Sequence, residues 1–152
     1  MATPVWIAAT DQIKAVVTAV PGITSVDQGY ARYTDAQNFE EIVTAMTPEV
    51  QGRFRFNLDE VRYLPLDASV GNWFGELAVF VPKDVSSNMD KAWTLCLQVV
   101  NAIGDQANFV NLGIIPRQIV CAFDRIDIIH AGGIAYFTFG RPGSGGIEMV
   151  DP

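Results

Sequence analysis

From Val5 to Val20 the apolar residues Trp6, Ala9, Ile13, Val16, Val17 and Val20 recur at three- and four-residue intervals. That spacing predicts an amphipathic helix, stopped at Pro21-Gly22 by the missing N–H of proline and the permissive backbone of glycine. Residues 23–26 read as a short strand, followed by a loop over 27–36. Phe39, Ile42, Val43 and Met46 predict a second, short helix over 38–46, ended by Pro48. From Arg53 the period changes to two: Phe54, Phe56 and Leu58 alternate with polar neighbours, and the strand continues through 61–64. Residues 65–71 are expected to form a turn or loop.

The clearest strand is 72–81, where Trp73, Leu77, Val79 and Val81 fall in one alternating row before Pro82 closes it. Ser86 or Ser87 can cap the main helix, with an apolar stripe of Met89, Trp93, Cys96, Leu97, Val100 and Ile103 and a stop at Gly104. A loop containing one helical turn leads to Pro116. Two strands, 118–129 and 134–139, then flank Gly133, with Gly132-Gly133 suited to a hairpin turn. The glycine-rich stretch 141–152 reads as a flexible tail on a single domain spanning 1–140. Helices fall between groups of strands and do not follow every strand. The expected class is therefore α+β, with a four- or five-stranded, largely antiparallel sheet carrying the two main helices on one face.

Composition narrows the function. The chain has 152 residues, enough for one ordinary domain with a core that needs no disulfide or metal. Its 49% apolar and 18% charged content is rich in apolar residues, a surplus that either a dense core or subunit interfaces could absorb. No apolar run approaches the roughly 18 residues of a membrane span. The start Met1-Ala2-Thr3-Pro4 lacks the positive charge and apolar run of a secretory leader. Ten basic against seventeen acidic residues, a net −7, argue against a protein that grips nucleic acid. Cys96 and Cys121 are far apart in apolar surroundings, and reduced, buried thiols made in the cytoplasm are expected.

Candidate chemistry is sparse. The single histidine, His130, sits beside a glycine turn with no nucleophile paired to it in the sequence. Neither cysteine has metal-ligand spacing. Glu40 and Glu41 do not share a helix face, and Asp59 and Glu60 point to opposite sides of a strand. Asp124 and Asp127 straddle Arg125 and are expected to form ion pairs. The run Arg141-Pro-Gly-Ser-Gly-Gly146 lacks the lysine and the following helix of a phosphate loop. No catalytic set and no cofactor site emerges, and the chain is read as a non-enzyme. The features that remain are Tyr30, Arg32, Tyr33, Arg62 and Tyr63, residue types favoured at protein interfaces, placed in or next to loops.

The stretch Trp73, Glu76-Leu77, Val79-Phe80-Val81-Pro82 and Met89-Asp90-Lys91-Ala92-Trp93 resembles the tail terminator, or tail-completion, proteins of long-tailed bacteriophages. In these a central strand ends at a proline and passes into a helix packed on the sheet. The likeness in element order runs from the first helix near Val5 to the last strand near Phe139; residues 38–52 and the tail after Gly140 depart from it. The resemblance implies a structural virion protein, made in the host bacterial cytoplasm and placed in the tail or neck. It implies a ring, usually of six copies, that caps the tail tube, ends its growth and joins the tail to head-side neck proteins. The partners would be other copies of the chain, the tail tube protein and a head-completion or neck protein. DNA would only pass through the lumen, where a carboxylate lining would repel phosphates. Two alternatives stay open: a head-completion or neck adaptor of the same particle, and a small α+β ligand-binding domain or enzyme.

Overall fold

The computed structural model describes residues 4–28, 50–82, 85–129 and 132–152. The helix expected at 38–46, together with Tyr30, Arg32, Tyr33 and His130, lies outside the described residues. The described elements are α1 (Val5–Thr18), β1 (Ile23–Gln28), β2 (Gln51–Tyr63), β3 (Ser69–Pro82) and α2 (Val85–Gly104). They continue with β4 (Ile115–Ile119), β5 (Ala122–Ile129), β6 (Gly132–Arg141), β7 (Ser144–Gly145) and β8 (Ile147–Asp151). The class is α+β.

The sheet is larger and more mixed than expected: eight strands, with the path β1-β2-β3-β6-β5 and with β8 joined to both β3 and β4. β1 runs parallel to β2, whereas the other pairings are antiparallel. β3 is the hub. Its first half pairs with β8 and its second half with β6, while β2 follows nearly its whole length.

Because side chains alternate across a strand, register separates the two faces. One face carries Phe54 and Phe56 of β2, Trp73, Leu77, Val79 and Val81 of β3, Phe137 and Phe139 of β6, and Ile147 and Met149 of β8. Both helices pack on it. α1 contributes Trp6, Ala9, Ile13 and Val17, and α2 contributes Ala92, Leu95, Cys96, Val99 and Ile103. The α1 stripe matches its pattern in sequence, though the helix ends at Thr18 and Val20 is buried beyond it.

The α2 stripe is rotated from the expected one. Leu97 is exposed and Trp93 only half-buried, because Ala92, Leu95 and Val99 take the inward positions. α2 also begins at Val85, ahead of both serines expected to cap it. Gly71 explains how α1 comes so close: a Cβ there would lie 2.6 Å from Cε3 of Trp6, so the indole rests directly on the β3 backbone. Trp6 and Trp73 meet edge to face at 5.6 Å. Thr10 ties them together, accepting from Trp73 Nε1 at 2.9 Å and donating to the Trp6 carbonyl at 2.8 Å.

Three further expectations need correction. The 65–71 loop is shorter, because β3 already starts at Ser69. The single strand expected over 118–129 is two strands, β4 and β5, broken at 120–121. Gly132 and Gly133 are not the turn: they open β6, paired with Ile129 and Ile128 of β5 on one side and with Pro82 and Val81 of β3 on the other.

The largest correction concerns the C-terminus. Residues 141–152 are no flexible tail: β6 turns through Gly143 into β7, and β8 then threads between β3 and β4 with Ile147 and Met149 fully buried. The glycines are there for close approach. A Cβ on Gly146 would lie 2.3 Å from the Phe139 carbonyl carbon, so the chain can fold back on β6 only without a side chain at that point.

Candidate functional site

The face of the sheet away from the helices is rich in charge. Register places Asp27, Arg55 and Glu76 side by side across β1, β2 and β3, and Ser25, Arg53 and Ala78 in the next row. Arg53 Nε donates to Ser25 Oγ at 3.1 Å. Glu76 is only 3% exposed, with Phe74, Phe80 and Tyr136 buried on the same face. Further along, Arg125 pairs with Asp124 at 2.8 Å and Asp127 at 3.6 Å, as its flanking acids predicted. Its guanidinium also lies 4.0 Å over the Tyr136 ring.

Partial burial opposes the Arg125 charge, but Asp127 and Asp124 outweigh it and hold the guanidinium above its usual range. Burial, reinforced by Asp127, pushes the Tyr136 hydroxyl up to about 12. This network locks side chains on the sheet.

Two other regions present apolar surface to solvent. The first is the tip of the β2–β3 hairpin, where Leu64 N donates to the Ala68 carbonyl at 2.8 Å and closes a three-residue loop. Tyr63 is 82% exposed and Leu66 97%, with Leu64 also exposed. Leu66 and Asp67 both have positive φ, 67° and 63°, in succession. Such backbone costs on the order of 1–3 kcal/mol per non-glycine residue and clusters at functional sites. Here it holds out a leucine that no described residue covers. Arg62, beside this tip, is tethered to Glu60 at 3.0 Å and Glu148 at 3.8 Å.

The second region is β5, at the end of the strand path. Among the described residues its outer edge pairs with no strand. Register puts Phe123 and Ile128 on the helix-bearing face, yet Phe123 is 42% and Ile128 72% exposed. Phe123 keeps an edge contact with Phe137 at 5.8 Å, and Trp93 of α2 covers the other side of that ring. Ile126, between Phe123 and Ile128, still packs on the core, so the exposed apolar positions of the row are Phe123 and Ile128. A strand edge that no described strand covers, bearing exposed apolar side chains, is a template for another chain.

Of the sequence-derived interface residues, Arg62 and Tyr63 lie together at the hairpin tip. Leu66, Phe123 and Ile128 escaped sequence reasoning because a lone leucine in a turn and apolar residues in a strand both read as ordinary packing. Among the described residues no group of three or more His, Cys, Asp or Glu side chains could hold a metal ion, and no helix is long and apolar enough to cross a membrane. A groove of about 540 Å³ runs between the ends of α1 and α2, lined by Val16, Val20, Gln98, Asn101 and Asp105 among others. It brings no base and nucleophile together.

No protein-family model matches this sequence, and no curated protein matches it.

Proposed function

We propose that this chain is a structural subunit that works by assembly: copies close into a ring that caps the tail tube of a long-tailed bacteriophage, ends its growth and joins it to head-side neck proteins. The observation that carries the reading is the pair of separate apolar patches, the hairpin tip at Tyr63, Leu64 and Leu66 and the edge of β5, unpaired among the described residues, at Phe123 and Ile128. A ring of identical subunits needs a head-to-tail contact in which two different patches of each copy meet, and it closes when the rotation between neighbours divides a full turn. One patch would favour only a two-fold dimer.

The resemblance of the 73–93 stretch to tail terminators supplies the particle and the number of copies, six. The net charge of −7 suits a lumen through which DNA passes without being held. A tube of stacked rings presents the same adhesive end after every layer, so growth stops only when a ring matches that end and offers a different surface beyond it.

Electron microscopy of particles made without this protein tests the reading. The expected result is tails of uncontrolled length that do not join heads. Tails of normal length attached to heads would overturn it, as would finding the chain as a monomer within intact particles.

A further inference from the structure

Cys96 and Cys121, 25 positions apart in sequence, meet in the fold. Their sulfurs lie 3.4 Å apart, with Cys96 fully buried in the middle of α2 and Cys121 half-buried in the two-residue link between β4 and β5. Both are free thiols, as expected, but Cys121 is only half-buried. Three observations make the pair more than packing. The separation exceeds a disulfide bond of about 2.05 Å by only roughly 1.4 Å, so a small shift closes it. Cys121 itself belongs to neither strand, so it can shift without breaking a strand pairing, while Val120 beside it stays held to the Gly146 carbonyl at 2.7 Å. Cys121 is only half-buried whereas Cys96 is fully buried, so of the two sulfurs that of Cys121 is the more open to a small molecule.

We propose that Cys121 and Cys96 form an oxidisable dithiol, in which Cys121 is the attacking and Cys96 the resolving thiol toward low-molecular-weight disulfides such as glutathione disulfide. The hydrogen bond between the sulfurs divides their labour. It lowers the Cys121 thiol to about 7, against the opposing effect of burial, and together with burial it raises Cys96. The thiolate is the nucleophile in thiol–disulfide exchange, and its fraction sets which cysteine reacts first.

The Cys121 thiolate attacks one sulfur of the small disulfide, the S–S bond breaks, and one small thiol leaves with the electron pair and takes up a proton. Cys96 then gives up its proton and attacks the Cys121 sulfur of the mixed disulfide, expelling the second small thiol. Two protein thiols are oxidised and one disulfide is reduced to two thiols, so the exchange balances. The product ties the centre of α2 to the link just before β5, the strand that exposes Phe123 and Ile128.

The test uses the whole chain under native conditions with excess glutathione disulfide, followed by intact mass and peptide mapping. The wild type is expected to end two hydrogens lighter with a Cys96–Cys121 peptide. Cys96→Ser should instead keep one glutathione on Cys121, and Cys96→Ala serves in its place if the serine variant does not fold. Cys121→Ser should stay unmodified. A wild type that remains a dithiol, that carries glutathione without an internal bridge, or that links only between chains overturns the proposal.

Discussion

Replacing Thr10 by valine removes one oxygen from the centre of the α1–sheet contact and changes little else. Valine has the same branching and nearly the same volume, and both residues have similar helix propensity. The lost hydroxyl accepts from Trp73 Nε1 at 2.9 Å. Trp73 is 0% exposed, so its indole N–H has no water to turn to. An orphaned buried donor costs about 1–3 kcal/mol, and the bond from Thr10 to the Trp6 carbonyl adds little because that carbonyl is also helix-bonded. For a domain of this size the loss corresponds to a melting-temperature drop of roughly 3–9 °C.

Trp73→Phe removes the donor itself and costs the packing of the larger ring, about 1–3 kcal/mol. In the double variant no orphan remains, so the second substitution should cost less than it does alone. Urea denaturation of the four proteins closes the cycle, with an expected coupling of about 1–2 kcal/mol. Additive effects within about 0.3 kcal/mol would refute the Thr10–Trp73 bond as a stabilising link.

Gly71→Ala should destabilise by about 1–3 kcal/mol through collision with the Trp6 ring, and the penalty should shrink in a Trp6→Leu background; thermal melts of both pairs decide it. Deleting residues 147–152 removes Ile147 and Met149 from the core and should cost roughly 3–6 kcal/mol. A urea midpoint unchanged by the deletion would mean that β8 is not part of the stable sheet. Tyr136 is neutral when protonated, and its folded pKa is raised to about 12 from 10.0. Its contribution is therefore complete below pH 10 and lost as the pH rises toward 12. Tyr136→Phe should flatten the fall in stability across that window, and equal slopes for the two proteins would contradict the assignment. Leu66→Ser combined with Ile128→Ser should leave the monomer's melting temperature within about 2 °C of wild type while abolishing assembly in native mass spectra, since both side chains are mostly exposed.

The amino-acid sequence alone determined what depends on neighbours a few positions away. The three- and four-residue spacing of Trp6, Ala9, Ile13 and Val17 defines α1, and the two-residue alternation from Phe54 to Leu58 and from Trp73 to Val81 defines β2 and β3. Charge order alone paired Arg125 with its flanking acids. Even within α2, where the helix was plain, the buried stripe was displaced toward Leu95 because several apolar residues compete for the inward face and only the sheet beneath selects among them.

The remaining features are long-range and were decided by tertiary structure. Glycines at 140–146 carry no pattern of their own. They become a fold-back only because Phe139 and β3 lie where a Cβ would clash, and that turns an apparent tail into the strand between β3 and β4. Phe123 and Ile128 on β5 stay exposed because, among the described residues, the helix layer reaches this side of the sheet only as far as the contact of Trp93 with Phe137. Cys96 and Cys121 meet because α2 packs beside the link after β4. Periodicity is written in the local backbone geometry; which distant segments share a surface follows from burying all the apolar faces at once, and only the assembled chain can satisfy that condition.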